Sequence, residues 1–306
     1  MAHRVVTRGV ALVDDYLLVW VLLSVGVGVA VPSMVILTPL TTPILAVMIG
    51  AVSLTLAPER FRRLRGQALV AILVVQTGMA VFGFAVARGL GLSPALTAGF
   101  VILGAVTPEL VTPTMTELGG GDTALATVVL VAAGVETLVI VPAAVTLFVG
   151  RSVAVDPVVI VEQLVLAVVL PMGSPSGAGS VGPTASVRTT TSNPSVSGLM
   201  VILVIGIVTA ANASLIRNGG AILAVVAAGA LVLNGGGYAA GWLVGRWFTP
   251  EERIAAVLSV GMRDFAVAAA LLVGAGFPVA AALPAVVFGI VEMTTSAGLA
   301  RWFRRG

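Results

Sequence analysis

Ser259-Val260-Gly261-Met262-Arg263-Asp264 puts a glycine, a guanidinium and a carboxylate into one apolar run, between 254–258 and 265–273. Earlier in the chain, Thr107-Pro108-Glu109-Leu110-Val111-Thr112-Pro113 interrupts another apolar run in the same manner. A charged side chain at the centre of a membrane helix costs about 2.5–3.5 kcal/mol on insertion scales, so it needs a partner or a protein-lined cavity. Proline removes a backbone donor and clashes with the preceding turn, so 107–113 is expected to unwind. Interrupted helices at corresponding places in two halves of a chain point to a transporter's binding site.

The composition around these breaks is that of a membrane protein. Apolar residues make up 58% of the 306 and charged residues 9%, against roughly 25% charged in an ordinary soluble domain. There is no cysteine, which excludes disulfides and thiolate chemistry. The single histidine, His3, removes histidine-based metal and hydrolase sites. No nucleophile–base set, HExxH or phosphate-binding loop occurs, so an enzyme is not expected. The net charge of +3 does not call for nucleic acid, because the arginines gather at span boundaries.

Crossing about 30 Å of hydrocarbon takes roughly 20 helical residues. On that measure ten spans are expected, at 16–33, 37–57, 67–87, 93–118, 122–149, 157–172, 197–216, 219–245, 251–275 and 279–300. Residues 1–172 hold the first five helices and the region of the sixth, with a first repeat over 16–149. The stretch 173–198, rich in Gly, Ser, Thr and Pro, reads as a flexible linker. The second repeat then spans 157–300. Five spans per half leave the halves inverted relative to each other. With a cytoplasmic N-terminus, twelve arginines fall on the cytoplasmic side and three, Arg88, Arg151 and Arg217, on the other. That split obeys the positive-inside rule and places both termini of a multi-pass protein of the cell membrane, an inner membrane, in the cytoplasm.

The polar residues inside these spans are the site candidates. Arg263 stays protonated and offers a rigid fork of donors for a substrate carboxylate or an internal one. Transport and simple closure of the helix break both fit it. Asp264 is placed near the N-terminus of the following half-helix, where the dipole favours a negative charge. Glu109 is a candidate partner for Arg263, and Thr112 and Thr114 offer hydroxyls to the unwound backbone. Glu136 and Glu292 read either as proton-relay carboxyls or as packing groups. Gln76 can both donate and accept in the same cavity. Asn234 is a candidate internal contact, whereas Gly235-Gly236-Gly237 beside it reads first as close helix packing.

At these residues the chain resembles the bile acid:sodium symporter superfamily. The resemblance runs over 259–270, on to Pro284-Ala285-Val286-Val287-Phe288-Gly289, and in the first half through Gln76, Gly104-Ala105 and Gly121-Asp122-Thr123-Ala124-Leu125-Ala126. It implies an all-α polytopic membrane protein of ten transmembrane helices in two inverted five-helix repeats, the fourth and ninth broken and crossing. It also implies a core domain over 67–149 and 219–300 and a panel over 16–57 and 157–216. In that family the run here written 259–264 is usually Glu-Val-Gly-Met-Gln-Asn. The positions aligned with one family sodium site are Thr112, Pro113, Ala126, Leu130 and Ser259, and a second involves Gln76, Ser259 and Arg263. Few of these keep a side-chain oxygen, and a guanidinium repels sodium, so sodium use is doubtful and no other cofactor is expected.

The resemblance thus implies a secondary-active or facilitative carrier of a small organic anion, working in the lipid bilayer by elevator-like alternating access. Arg263 stands where bound sodium is expected. One alternative is a proton-coupled carrier using Glu136, Glu292 and Asp264; another is a non-transporting sensor on the same scaffold.

Overall fold

The computed structural model describes residues 17–41, 43, 44, 47, 66–150, 153, 157–164 and 193–305. The described residues form twelve α-helices. These are α1 (Leu17–Ala30), α2 (Gly66–Gly89), α3 (Pro94–Ala105), α4 (Thr112–Leu118), α5 (Thr123–Ala144) and α6 (Pro157–Leu164). They continue as α7 (Asn193–Ala211), α8 (Ala213–Asn218), α9 (Gly220–Gly245), α10 (Pro250–Gly261), α11 (Phe265–Gly274) and α12 (Leu283–Phe303). Short 3-10 segments occupy Pro32–Leu40 and Val279–Ala282, and a π-turn at Val145–Val149 extends α5.

Helix starts follow from local chemistry. The Ser93 and Asp122 side chains accept from the Leu96 and Leu125 amides and cap α3 and α5. Thr249 and Glu252 form a capping box at the head of α10, with Pro250 just inside it.

The architecture of ten spans in two five-helix repeats does not hold. Among the described residues, five helical stretches are long and apolar enough to cross a membrane: Gly66–Gly89, Thr123–Val149, Gly220–Gly245, Pro250–Gly274 and Val279–Phe303. A sixth is reached by counting Val19–Ala30 with Pro32–Leu40, although these are bent by 114°. Hydropathy registers apolar residues whether or not the backbone continues through them, and that is where the expected count fails. The segment expected as the fourth span divides into α3, with 12 residues, and α4, with 7. At about 1.5 Å per residue, neither reaches across hydrocarbon. Pro32 and Pro39 likewise tighten the chain after α1 into a 3-10 turn. Of the expected second span, residues 48–57 lie outside the described residues, as do 165–172 of the sixth. Residues 173–192 of the expected linker also lie outside them, and α7 begins at Asn193, so 193–198 are already helical.

The helices that matter for the site pack around the two interruptions. The α2–α3 and α9–α10 pairs make the most extensive contacts, while α3 lies against α11 and α4 against α10. The α10–α11 stretch is almost entirely buried by the others. To one side, α1 packs on α7, and Ser24 Oγ donates to the Ile202 carbonyl at 2.6 Å.

Candidate functional site

Helix α3 stops at Val106, whose backbone turns extended, and helix resumes only at Thr112. Pro108 cannot donate, and the residue before a proline is driven out of helical geometry. With Ala105 the last residue of one helix and Thr112 the first of the next, the Val106 and Thr107 carbonyls have no helical amide four residues on to accept from. The second interruption lies between Gly261 and Phe265, with Met262 extended. Here Asp264 restarts the helix: its Oδ1 accepts from the Val267 amide at 2.8 Å. Asp264 is thus the cap of α11.

The two interruptions touch. The Asp264 amide donates to the Thr107 carbonyl at 2.9 Å, and Arg263 Nη1 donates to the Val106 carbonyl at 3.1 Å. Gln76 Nε2 approaches the same Val106 oxygen at 3.5 Å. On the far side, Asn234 Nδ2 of α9 donates to the Gly261 carbonyl at 3.0 Å, and Thr295 Oγ1 of α12 donates to Asn234 Oδ1 at 2.7 Å. Tyr238 completes this chain, its hydroxyl 3.3 Å from Thr295 Oγ1. Thr112 Oγ1 lies 3.8 Å from Met262 Sδ. The Val106, Thr107 and Gly261 carbonyls are thereby each met by a protein donor, as a low-dielectric surrounding demands.

Arg263 is the largest fully buried side chain among the described residues, and Asp264, Glu292 and Ser259 are equally sealed, with Glu109 1% exposed. Yet Arg263 forms no hydrogen bond to a carboxylate: its Nε and Nη2 have no partner. The expected pairing of Glu109 with Arg263 does not form: Arg263 Nη1 goes to the Val106 carbonyl and its other nitrogens are unpartnered. Gln76 Oε1, Glu109 Oε2, Ser259 Oγ, Asp264 Oδ2 and both Glu292 oxygens are also buried without a hydrogen-bond partner.

Glu136 sits off to the side on α5, hydrogen-bonded to the Thr77 hydroxyl of α2. Of the expected site residues, Thr114 alone is exposed, on the outer side of the short α4. The sequence reading missed Thr77, Tyr238 and Thr295. A hydroxyl in an apolar helix gives no local signal, because its partner comes from elsewhere in the chain.

Two free nitrogens of one planar guanidinium, held by a third on a fixed carbonyl, are suited to fork-like recognition of an anion. The crossover is closed to solvent in this conformation, and the open groove along Val19, Leu22, Leu23, Gly26, Val27 and Ala30 of α1 shares no residue with it.

Residues 42–218 match the model of the Sodium Bile acid symporter family. The match covers more than half of the chain and includes the first interruption; the second, with Arg263, Asp264 and Glu292, lies beyond it. None of the curated proteins compared matches the chain. The sodium in that family's name does not fit the crossover. What opposes it is charge: the buried Arg263 guanidinium shares the Val106 carbonyl with Gln76, and a fixed cation there repels a second one although oxygens such as Gln76 Oε1 and Ser259 Oγ stand unpartnered. Among the described residues, no group of three or more acidic or histidine side chains could hold a metal ion.

Proposed function

Because the chain belongs to the Sodium Bile acid symporter family, we propose that this multi-pass membrane protein is a carrier of a small organic anion in which the Arg263 guanidinium stands in place of a bound cation. The observation that carries the reading is Arg263 itself: fully buried at the meeting of two broken helices, fixed through Nη1 to Val106 and with Nε and Nη2 unpartnered. A charge kept in that place at such desolvation cost is explained by an anionic ligand that shares it. Transport proceeds by alternating access, the body over 67–149 and 219–300 moving against the panel over 16–57 and 157–216. The extensive packing of α1 on α7 supports the panel as a unit, and its contacts with α11 and α12 mark where the two parts meet.

The substrate class is tested by counterflow in proteoliposomes preloaded with an unlabelled bile acid, pyruvate or pantoate. The carrier accumulates the matching labelled anion. Arg263→Ala, still inserted and monodisperse, loses about tenfold or more of that signal, the order expected from hydrogen bonds to a charged group. Absence of counterflow for every organic anion tried, or equal counterflow by Arg263→Ala, contradicts the reading.

A second reading, proton coupling, is favoured by the acid content of the same region. Glu109, Asp264 and Glu292 share the sealed interior with a single guanidinium, and Glu136 lies beside it.

A further inference from the structure

Four carboxyls, on Glu109, Glu136, Asp264 and Glu292, lie in or beside the crossover that holds one guanidinium, and Glu136 and Glu292 are the two whose charge acts on it. Their charges act on one another: Glu109 feels Asp264 and Glu292, and Arg263 feels Glu136 and Glu292. No hydrogen-bonded ion pair forms among them, because Arg263 Nε and Nη2 and at least one oxygen of each acid lack a partner. A buried carboxylate without a counter-charge is far more costly than its neutral acid. Charge balance therefore requires the acids in excess of the guanidinium to carry protons, and those protons need a way in and out.

Three of the four acids have none, since Glu109, Asp264 and Glu292 are sealed. Glu136 is different. It is partly exposed on the outward, lipid-facing side of the spanning helix α5, where Val135 and Val139 are 54% and 68% exposed, while Ala133 and Thr137 are buried toward the interior. One carboxyl oxygen accepts from Thr77, while Oε2 is turned inward, buried and unpartnered. Thr77 adjoins Gln76, which shares the Val106 carbonyl with Arg263. Glu136 is thus a rim group, tied to the sealed cluster by the mutual action of its charge and that of Arg263.

The helices packed on α5 carry few other charges. Arg88 is at the end of α2, Glu117 on α4, Glu251, Glu252 and Arg253 on the first turn of α10, and Glu162 on α6; α3 has none. The charge that acts on Glu136 is that of Arg263.

We propose that Glu136 is the proton-exchange group of the carrier. When an anion pairs with Arg263, the Glu136 carboxylate loses the guanidinium's stabilising charge and takes up one proton to become the acid. When the anion leaves, the proton is released. One anion and one proton move together, and no sodium enters the balance. The assignment rests on Arg263 as the anion anchor.

Dicyclohexylcarbodiimide tests it, because this reagent adds across the O–H of a protonated carboxyl in an apolar setting and leaves a stable N-acylurea. The full-length protein in detergent is treated, and the modified peptides are read by mass spectrometry. Glu136 is expected to be labelled, the label falling at least tenfold from about pH 5 to about pH 9 and staying the same when choline replaces sodium. Glu136→Gln removes this label, and Thr77→Val, which deletes the hydroxyl donor, moves the midpoint of its pH dependence. An unlabelled Glu136 at every pH, a label indifferent to pH, or one suppressed by sodium overturns the proposal. Labelling needs no transported substrate, so a protein that labels as expected but counterflows no organic anion contradicts the anion assignment and not the proton site.

Discussion

At the residue scale, the crossover is an exercise in finding donors for carbonyls that broken helices set free. Arg263, Gln76, Asn234 and the Asp264 amide each take one of these oxygens or share it. Asn234 is the clearest to test, since its amide holds the Gly261 carbonyl while its oxygen accepts from Thr295. Replacing Asn234 with Leu leaves the buried Gly261 carbonyl without its donor, while Thr295 Oγ1 keeps the Val291 and Glu292 carbonyls within reach. That substitution is expected to destabilise the protein by about 1–3 kcal/mol, read as a lowered melting temperature in detergent. Thr295→Val removes one link only and costs less. A melting temperature unchanged by Asn234→Leu would show that the network is dispensable. Arg263 and Asp264 were legible in the sequence because charge inside an apolar run is anomalous in itself. Thr77 and Thr295 were not, because their meaning lies in Glu136 and Asn234, 59 and 61 residues away along the chain.

At the element scale, the interruptions were readable and so were five of the spans, but the count of ten was not. Pro108 and Pro113 announce the first break through lost donors and steric conflict, whereas the second contains no proline and shows itself through Gly261, Arg263 and Asp264. The expected count of ten full spans failed because α3, α4 and the 3-10 turn after α1 are apolar yet short. Close approach of α9 to α10 then fixes the second break. A side chain at Gly241 would begin 2.7 Å from the Val257 Cα, and at Gly237 it would begin 2.8 Å from the Gly261 Cα. These contacts are backbone and cannot rotate away. Gly241→Leu is therefore expected to cost about 1–3 kcal/mol or more by overpacking, whereas Gly235→Ala, with nothing within 4 Å of the added carbon, is expected to leave the melting temperature unchanged. Equal effects of the two substitutions would contradict this packing. The glycine run was read from the sequence as packing, but only the structure separates Gly237, which touches the break, from Gly235, which does not.

At the scale of the whole molecule, the protein is polar at its centre and apolar on its flanks. Val70, Val74, Val81, Val135 and Val139 face outward at 51–68% exposure, while the charged crossover is sealed. One end is marked by an aromatic cluster: Trp242 stacks on Phe303 at 6.2 Å, and Arg253 lies 5.1 Å over the Trp242 ring. Aromatic and arginine side chains of this kind suit a membrane–water interface. In the proposed carrier, a permanent positive charge at the crossover takes the place of an exchangeable sodium ion. The direct measurement is the initial rate of uptake into proteoliposomes, for the anion found by counterflow, with external sodium replaced by choline. Equal rates in the two media are predicted; uptake that requires sodium would contradict the assignment of Arg263 as the resident cation.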